Sequence, residues 1–120
     1  RVAYAGGASP VADVRQQLAV WEKALESAKL DGIMACYAED AVGDSGGGKA
    51  ELKAFLEDAI AQGALEDVDV DLDDAELTVD GDKVRVRELS IEGIFGTVYL
   101  NLDFALRDGT WRIVRSESWQ

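Results

Sequence analysis

Histidine is absent from this chain, and cysteine occurs once in its 120 residues, as Cys36. Without imidazole, the usual zinc sites and the Ser-His and Cys-His nucleophile pairs are excluded, and a single thiol closes no intrachain disulfide. Neither a metal nor an organic cofactor is expected. Basic residues are scarce as well: 12 Lys and Arg stand against 24 Asp and Glu, a formal net charge of −12. That field repels phosphate backbones and anionic bilayers, so no nucleic acid and no membrane is expected as a partner, and it favours a soluble protein. No apolar run approaches the ~20 residues that span a bilayer. The chain opens at Arg1 instead of methionine, as a processed or trimmed product does, which leaves the compartment, cytoplasmic or periplasmic, open.

Apolar residues make up 48% of the sequence, enough at this length for one continuous core and not for two. Residues 1–9 lack periodicity and read as a flexible tail, leaving 10–120 as a single domain. Pro10 stands at or near a helix start, after which Val14, Leu18, Trp21, Leu25 and Ala28 recur at spacings of four and three on one helical stripe. Asp31 is placed to cap a second, shorter helix with Ile33, Met34, Tyr37 and Ala38 on one face. After a Gly43–Gly48 loop, Leu52, Phe55, Leu56, Ala59 and Ile60 mark a third helix, with Gly63 suited to its C-terminal cap.

From Val68 the period becomes two. Val68, Val70 and Leu72 alternate with aspartates, and Leu77 and Val79 resume on the opposite parity, which implies a bend at Asp73-Asp74. Turns at Asp80-Gly81-Asp82, Gly93–Gly96 and Asp108-Gly109 then separate three further strands. Three helices followed by about four main antiparallel strands predict an α+β layer, with the helices on one face of the sheet.

The stretch Leu30-Asp31-Gly32-Ile33-Met34-Ala35-Cys36-Tyr37-Ala38-Glu39-Asp40-Ala41-Val42, the stretch from Gly48 to Leu56, and Asp108-Gly109-Thr110-Trp111-Arg112-Ile113-Val114 carry a family likeness. In them the chain resembles the SnoaL-like and ketosteroid-isomerase-like branch of the nuclear transport factor 2 superfamily. The resemblance implies a cone-shaped cystatin-like roll that holds a small-molecule ligand between helices and a curved sheet, and a homodimer formed through the outer sheet face. Such motifs specify a fold better than a function.

A two-residue turn at Asp108-Gly109 sets Leu106 opposite Trp111, Phe104 opposite Ile113, Leu102 opposite Arg115, Leu100 opposite Glu117 and Val98 opposite Trp119. The Gly93–Gly96 turn adds Ile91, Leu89 and Arg87 to the same inner face. Arg87 and Arg115 would then flank Leu102, with Glu117 nearby. Two guanidinium forks and a balancing carboxylate suit a ligand that is polar or anionic at one end, with Trp21, Tyr37 and Trp119 as flat walls and Leu89 and Leu102 beneath. The alternative is a salt-bridged cluster at the exposed end of the sheet. Trp111 reads as core. On the opposite face, Tyr99, Asn101, Asp103, Arg112, Val114, Ser116 and Ser118 would meet water or a second subunit.

An enzyme reading is incomplete. Ketosteroid isomerases use an aspartate base with a tyrosine and a protonated aspartic acid as oxyanion hole. The resemblance carries the base to Asp44, one position early and followed by Ser45 in place of proline. It carries the tyrosine to Trp21, and the oxyanion acid to the vicinity of Asp103 on the outer face. Asp44 is therefore either a general base or a loop aspartate capping the third helix. Gly48-Lys49 is followed by Ala50, so the glycine run is no phosphate loop, and the acidic run Glu66–Glu76 lacks the spacing of a calcium loop. Cys36, with no basic neighbour in sequence, reads as a buried small residue. Three functions stay open: a small-molecule domain, a non-enzymatic dimerisation or accessory domain whose cavity is filled by its own side chains, and an isomerase or cyclase using Asp44 or Glu117 for proton transfer.

Overall fold

A computed structural model describes residues 10–43 and 46–119. The tail expected at residues 1–9 and the candidate base Asp44 lie outside the described residues. Helix α1 runs Pro10–Glu26 and buries Val14, Leu18, Trp21, Ala24 and Leu25. It ends in a Schellman motif, with Lys29 N–H bonded to the Ala24 carbonyl and Ala28 N–H to that of Leu25. Ala28, expected on the helical stripe, instead occupies the left-handed position at φ 53°. The same motif closes α3 (Lys49–Ala61), where Gly63 takes that position at φ 76°.

The second helix is shorter than its apolar spacing suggested. α2 covers only Leu30–Met34, with Lys29 and not Asp31 as its N-cap. Tyr37 and Ala38 begin strand β1, Tyr37–Val42, which runs parallel to β6. Four apolar or small residues at helical spacing cannot be told from a buried strand by periodicity alone, and here tertiary pairing decides: Ile113 N–H donates to the Cys36 carbonyl at 2.8 Å.

The remaining strands are β2 (Asp69–Asp71), β3 (Glu76–Asp80), β4 (Lys83–Gly93), β5 (Gly96–Arg107) and β6 (Thr110–Trp119). The sheet order is β1-β6-β5-β4-β2, with β3 also paired to β4. The protein is thus α+β with an open mixed sheet of six strands, its antiparallel part as the alternation implied and β1 the added parallel edge. The bend expected at Asp73-Asp74 separates β2 from β3, held by Asp73 N–H on Asp71 Oδ1 at 2.9 Å.

Two bulges flank β5. On β6 the pairs run Phe104↔Ile113 and then Asp103↔Arg115, so Val114 is an extra residue. On β4 they run Val86↔Leu102 and then Leu89↔Leu100, so Arg87 and Glu88 together oppose Asn101. Glu88 sits at φ 63° and its N–H donates to Asn101 Oδ1 at 3.0 Å. Paired bulges at one height bend and twist a sheet, dividing it into two ends. At one end Val84, Val86, Leu102, Phe104 and Ile113 are fully buried beneath α1, a close-packed interior. At the other, α3 stands away from the sheet: of its side chains only Leu56 is fully buried, and Phe55 is 68% exposed.

Candidate functional site

The space between α3 and the far end of the sheet is a cavity of about 810 Å³, within the ~300–1,000 Å³ usual for small-molecule sites. Its inner wall is Trp21 and Leu25 of α1 with Tyr37 and Ala41 of β1. α3 supplies Leu52, Phe55, Leu56 and Ala59 above, and Ile91, Val98, Leu100, Ser116 and Ser118 form the sheet side. Val42, Phe95 and Trp119 complete the rim. The Phe95 ring folds back over Gly93, where a β-carbon would lie 2.7 Å from it, so the small residue lets this rim side chain lie flat.

The buried polar feature of the inner wall is a pair of side chains. Trp21 Nε1 donates to the Tyr37 hydroxyl at 3.4 Å. Tyr37 is 7% exposed and lines the cavity, and its hydroxyl accepts from Trp21 with no acceptor for its own proton among the described residues. Burial pushes the phenol up to about 12, with the Trp21 bond opposing that shift, so the group stays protonated at neutral pH. Lys49, at the first turn of α3, donates to the Tyr37 carbonyl at 3.1 Å and to Glu39 Oε1 at 3.4 Å. Among the described residues no group of three or more His, Cys, Asp and Glu side chains is placed to hold a metal.

Trp21 and Tyr37 line the cavity, whereas Arg87, Arg115 and Glu117 do not converge there. Trp119 borders the rim at the strand end but pairs with Tyr99 instead of Val98, on the parity of Arg115 and Glu117, and its ring stacks on Tyr99 on the outer face. Each bulge reverses the parity beyond it. Arg87 turns to the outer face, where Nη1 donates to Asp103 Oδ1 at 3.2 Å. Arg115 pairs with Asp103 across the strands and is exposed, and Glu117 pairs with Asn101. Leu102, in the packed end, and Leu89, just past the β4 bulge opposite Leu100, are both fully buried and are not part of the cavity wall. Ser116 and Ser118, expected outside, take the inward positions opposite Leu102 and Leu100. The adjacent apolar residues Ile113-Val114 were the available signal for the first bulge. Asp103 stays on the outer face, as its strand position required.

No family model matches the chain, and none of the curated proteins matches it in sequence. Solved structures match its fold. A nuclear transport factor 2-like protein of unknown function from Pseudomonas putida superposes with TM-score 0.75 at 18% identity, covering 92% of this chain and 87% of that one. A nuclear transport factor 2-like protein with a cystatin-like fold from Novosphingobium aromaticivorans gives 0.70 at 17% identity, covering 90% and 79%. A protein of unknown function with a cystatin-like fold from Nostoc punctiforme gives 0.71 at 15% identity, covering 90% and 88%. With helices over a bent mixed sheet and a cavity between them, the chain has the cystatin-like fold of the nuclear transport factor 2-like proteins.

Proposed function

We propose that this domain binds a small, mostly apolar molecule whose oxygen or nitrogen acceptor is received by the Tyr37 hydroxyl. The observation that carries this reading is the cavity of about 810 Å³ with one buried donor, Tyr37, in an otherwise apolar inner wall. A buried donor without an acceptor costs about 1–3 kcal/mol, which a ligand acceptor recovers. The empty volume speaks against a cavity filled by the protein's own side chains.

The test uses 1-pyrenecarboxaldehyde and 1-methylpyrene, equal in ring size and differing in the carbonyl, titrated by fluorescence. Leu100→Trp should abolish binding of both by filling the space. Tyr37→Phe should weaken the aldehyde about tenfold and leave the hydrocarbon unchanged. Binding indifferent to Leu100→Trp would contradict the reading. Asp44, next in sequence to the cavity residue Gly43, is the carboxylate proposed as a base; an enolisable ketone turned over equally by Asp44→Asn removes it. Two copies are proposed to pair through the outer sheet face, where the Tyr99 and Trp119 rings stack at 6.0 Å. A single monomer species by sedimentation velocity at high concentration contradicts that pairing.

A further inference from the structure

Charge at the mouth of the cavity narrows the class of molecule it takes. Among the described residues the charged side chains of the lining are Lys49, Glu51 and Asp58. The ammonium of Lys49 is already engaged by the Tyr37 carbonyl and by Glu39, so an anionic ligand would have to displace both. Among the described residues the two carboxylates are bonded to neutral donors. Glu51 Oε2 accepts the Gly48 N–H at 3.1 Å, and Asp58 Oδ2 accepts Gln62 Nε2 at 2.8 Å.

Glu51 and Asp58 stand seven residues apart on α3, a rise of about 10 Å, with Phe55 between them on the same side. Four of the nine aromatic residues of the chain, Trp21, Tyr37, Phe55 and Phe95, line the same space. Aromatic faces attract a cation, and low-dielectric walls focus the field of nearby carboxylates. A second feature points to a ligand independently of the acids: the Tyr37 hydroxyl at the inner wall accepts from Trp21 but finds no acceptor for its own proton among the described residues.

We infer that the cavity selects an organic cation, an apolar ring-bearing body with an ammonium group at the mouth over Phe55, between Glu51 and Asp58, and any acceptor at the Tyr37 end. The inference rests on the small-molecule reading above. It reverses the anionic preference that two inward arginines would have conferred.

Three isosteric fluorescent probes separate the possibilities: 1-pyrenemethylamine, charged positive at neutral pH, 1-pyrenemethanol and 1-pyrenecarboxylate. The cation should bind about tenfold more tightly than the carboxylate, with the alcohol between. Glu51→Gln with Asp58→Asn keeps both hydrogen-bond acceptors and should bring the ratio close to one. Asp71→Asn with Asp73→Asn removes the same charge from the β2–β3 edge and should leave the ratio unchanged. If the alcohol or carboxylate binds as tightly as the cation, the inference is overturned while the cavity stands. It is equally overturned if the β2–β3 pair lowers the ratio as much as the α3 pair, because the preference would then belong to the overall charge. If none of the three probes binds, the small-molecule reading falls and this inference with it.

Discussion

The β5–β6 hairpin has two ends that begin from the same alternation and finish differently. Near the Asp108-Gly109 turn, Leu106↔Trp111 and Phe104↔Ile113 pair as the turn geometry dictates, and their inner side chains close-pack under α1. Past Val114 the strand has turned over by one residue, the serines face in, and the space above them is hollow. A single extra residue thus separates an end built for stability from an end built to leave room. The charged side chains that simple alternation would have aimed into the hollow are carried to the outer face.

The contrast is broken most severely at the packed end. Phe104→Ala should cost about 3–5 kcal/mol in urea unfolding, because a fully buried ring leaves a void that its neighbours cannot fill. Leu100→Ala, at a position already open on one side to the cavity, should cost about 1–2 kcal/mol. Equal losses at the two sites would erase the distinction between the ends.

Alkaline pH acts at the boundary between them. Tyr37 has its folded-state value raised to about 12 against an ordinary 10. Between those values the folded chain holds a proton that the unfolded chain has released, so stability falls as pH rises through this window. The loss should approach about 2–3 kcal/mol above pH 12, and Tyr37→Phe should flatten it relative to wild type in pH-resolved denaturation. The smallest effect is expected on the outer face. Arg115→Ala should change stability by less than about 0.5 kcal/mol and leave binding of 1-methylpyrene unaltered. Lost binding in that variant would return the arginine to the cavity.

Much of the scaffold is legible in the chain. The stripe of Val14, Leu18, Trp21 and Leu25, the glycine cap of α3 and the three two-residue turns of the meander are local signals, set by helix period and turn chemistry. β1 was not legible, because its strand character depends on pairing with Ile113, 76 residues or so away in sequence, and not on its own pattern. The bulges were partly legible. Val84 and Val86 are followed by Leu89 and Ile91, a parity change that reports the extra residue at Arg87-Glu88. Beyond Val114 the inward residues are serines, and polar residues on both parities give the period nothing to register. The candidate site was therefore readable at Trp21 and Tyr37, which the helix stripe and the strand entry place, and was misread where its shape depends on two backbone irregularities, Trp119 beyond the second of them included.

Which side chains of β6 face the cavity beyond Val114 decides the shape and chemistry of the site. In a Cys36→Ala background, single cysteines at Ser116 and at Glu117 can be labelled with a thiol reagent in the absence and presence of 1-pyrenemethanol. The probe should slow labelling of Ser116→Cys and leave Glu117→Cys at its free rate. Protection of Glu117→Cys with Ser116→Cys unaffected would contradict the account, because it would put the outer-face residues in the cavity and remove the bulge from the strand.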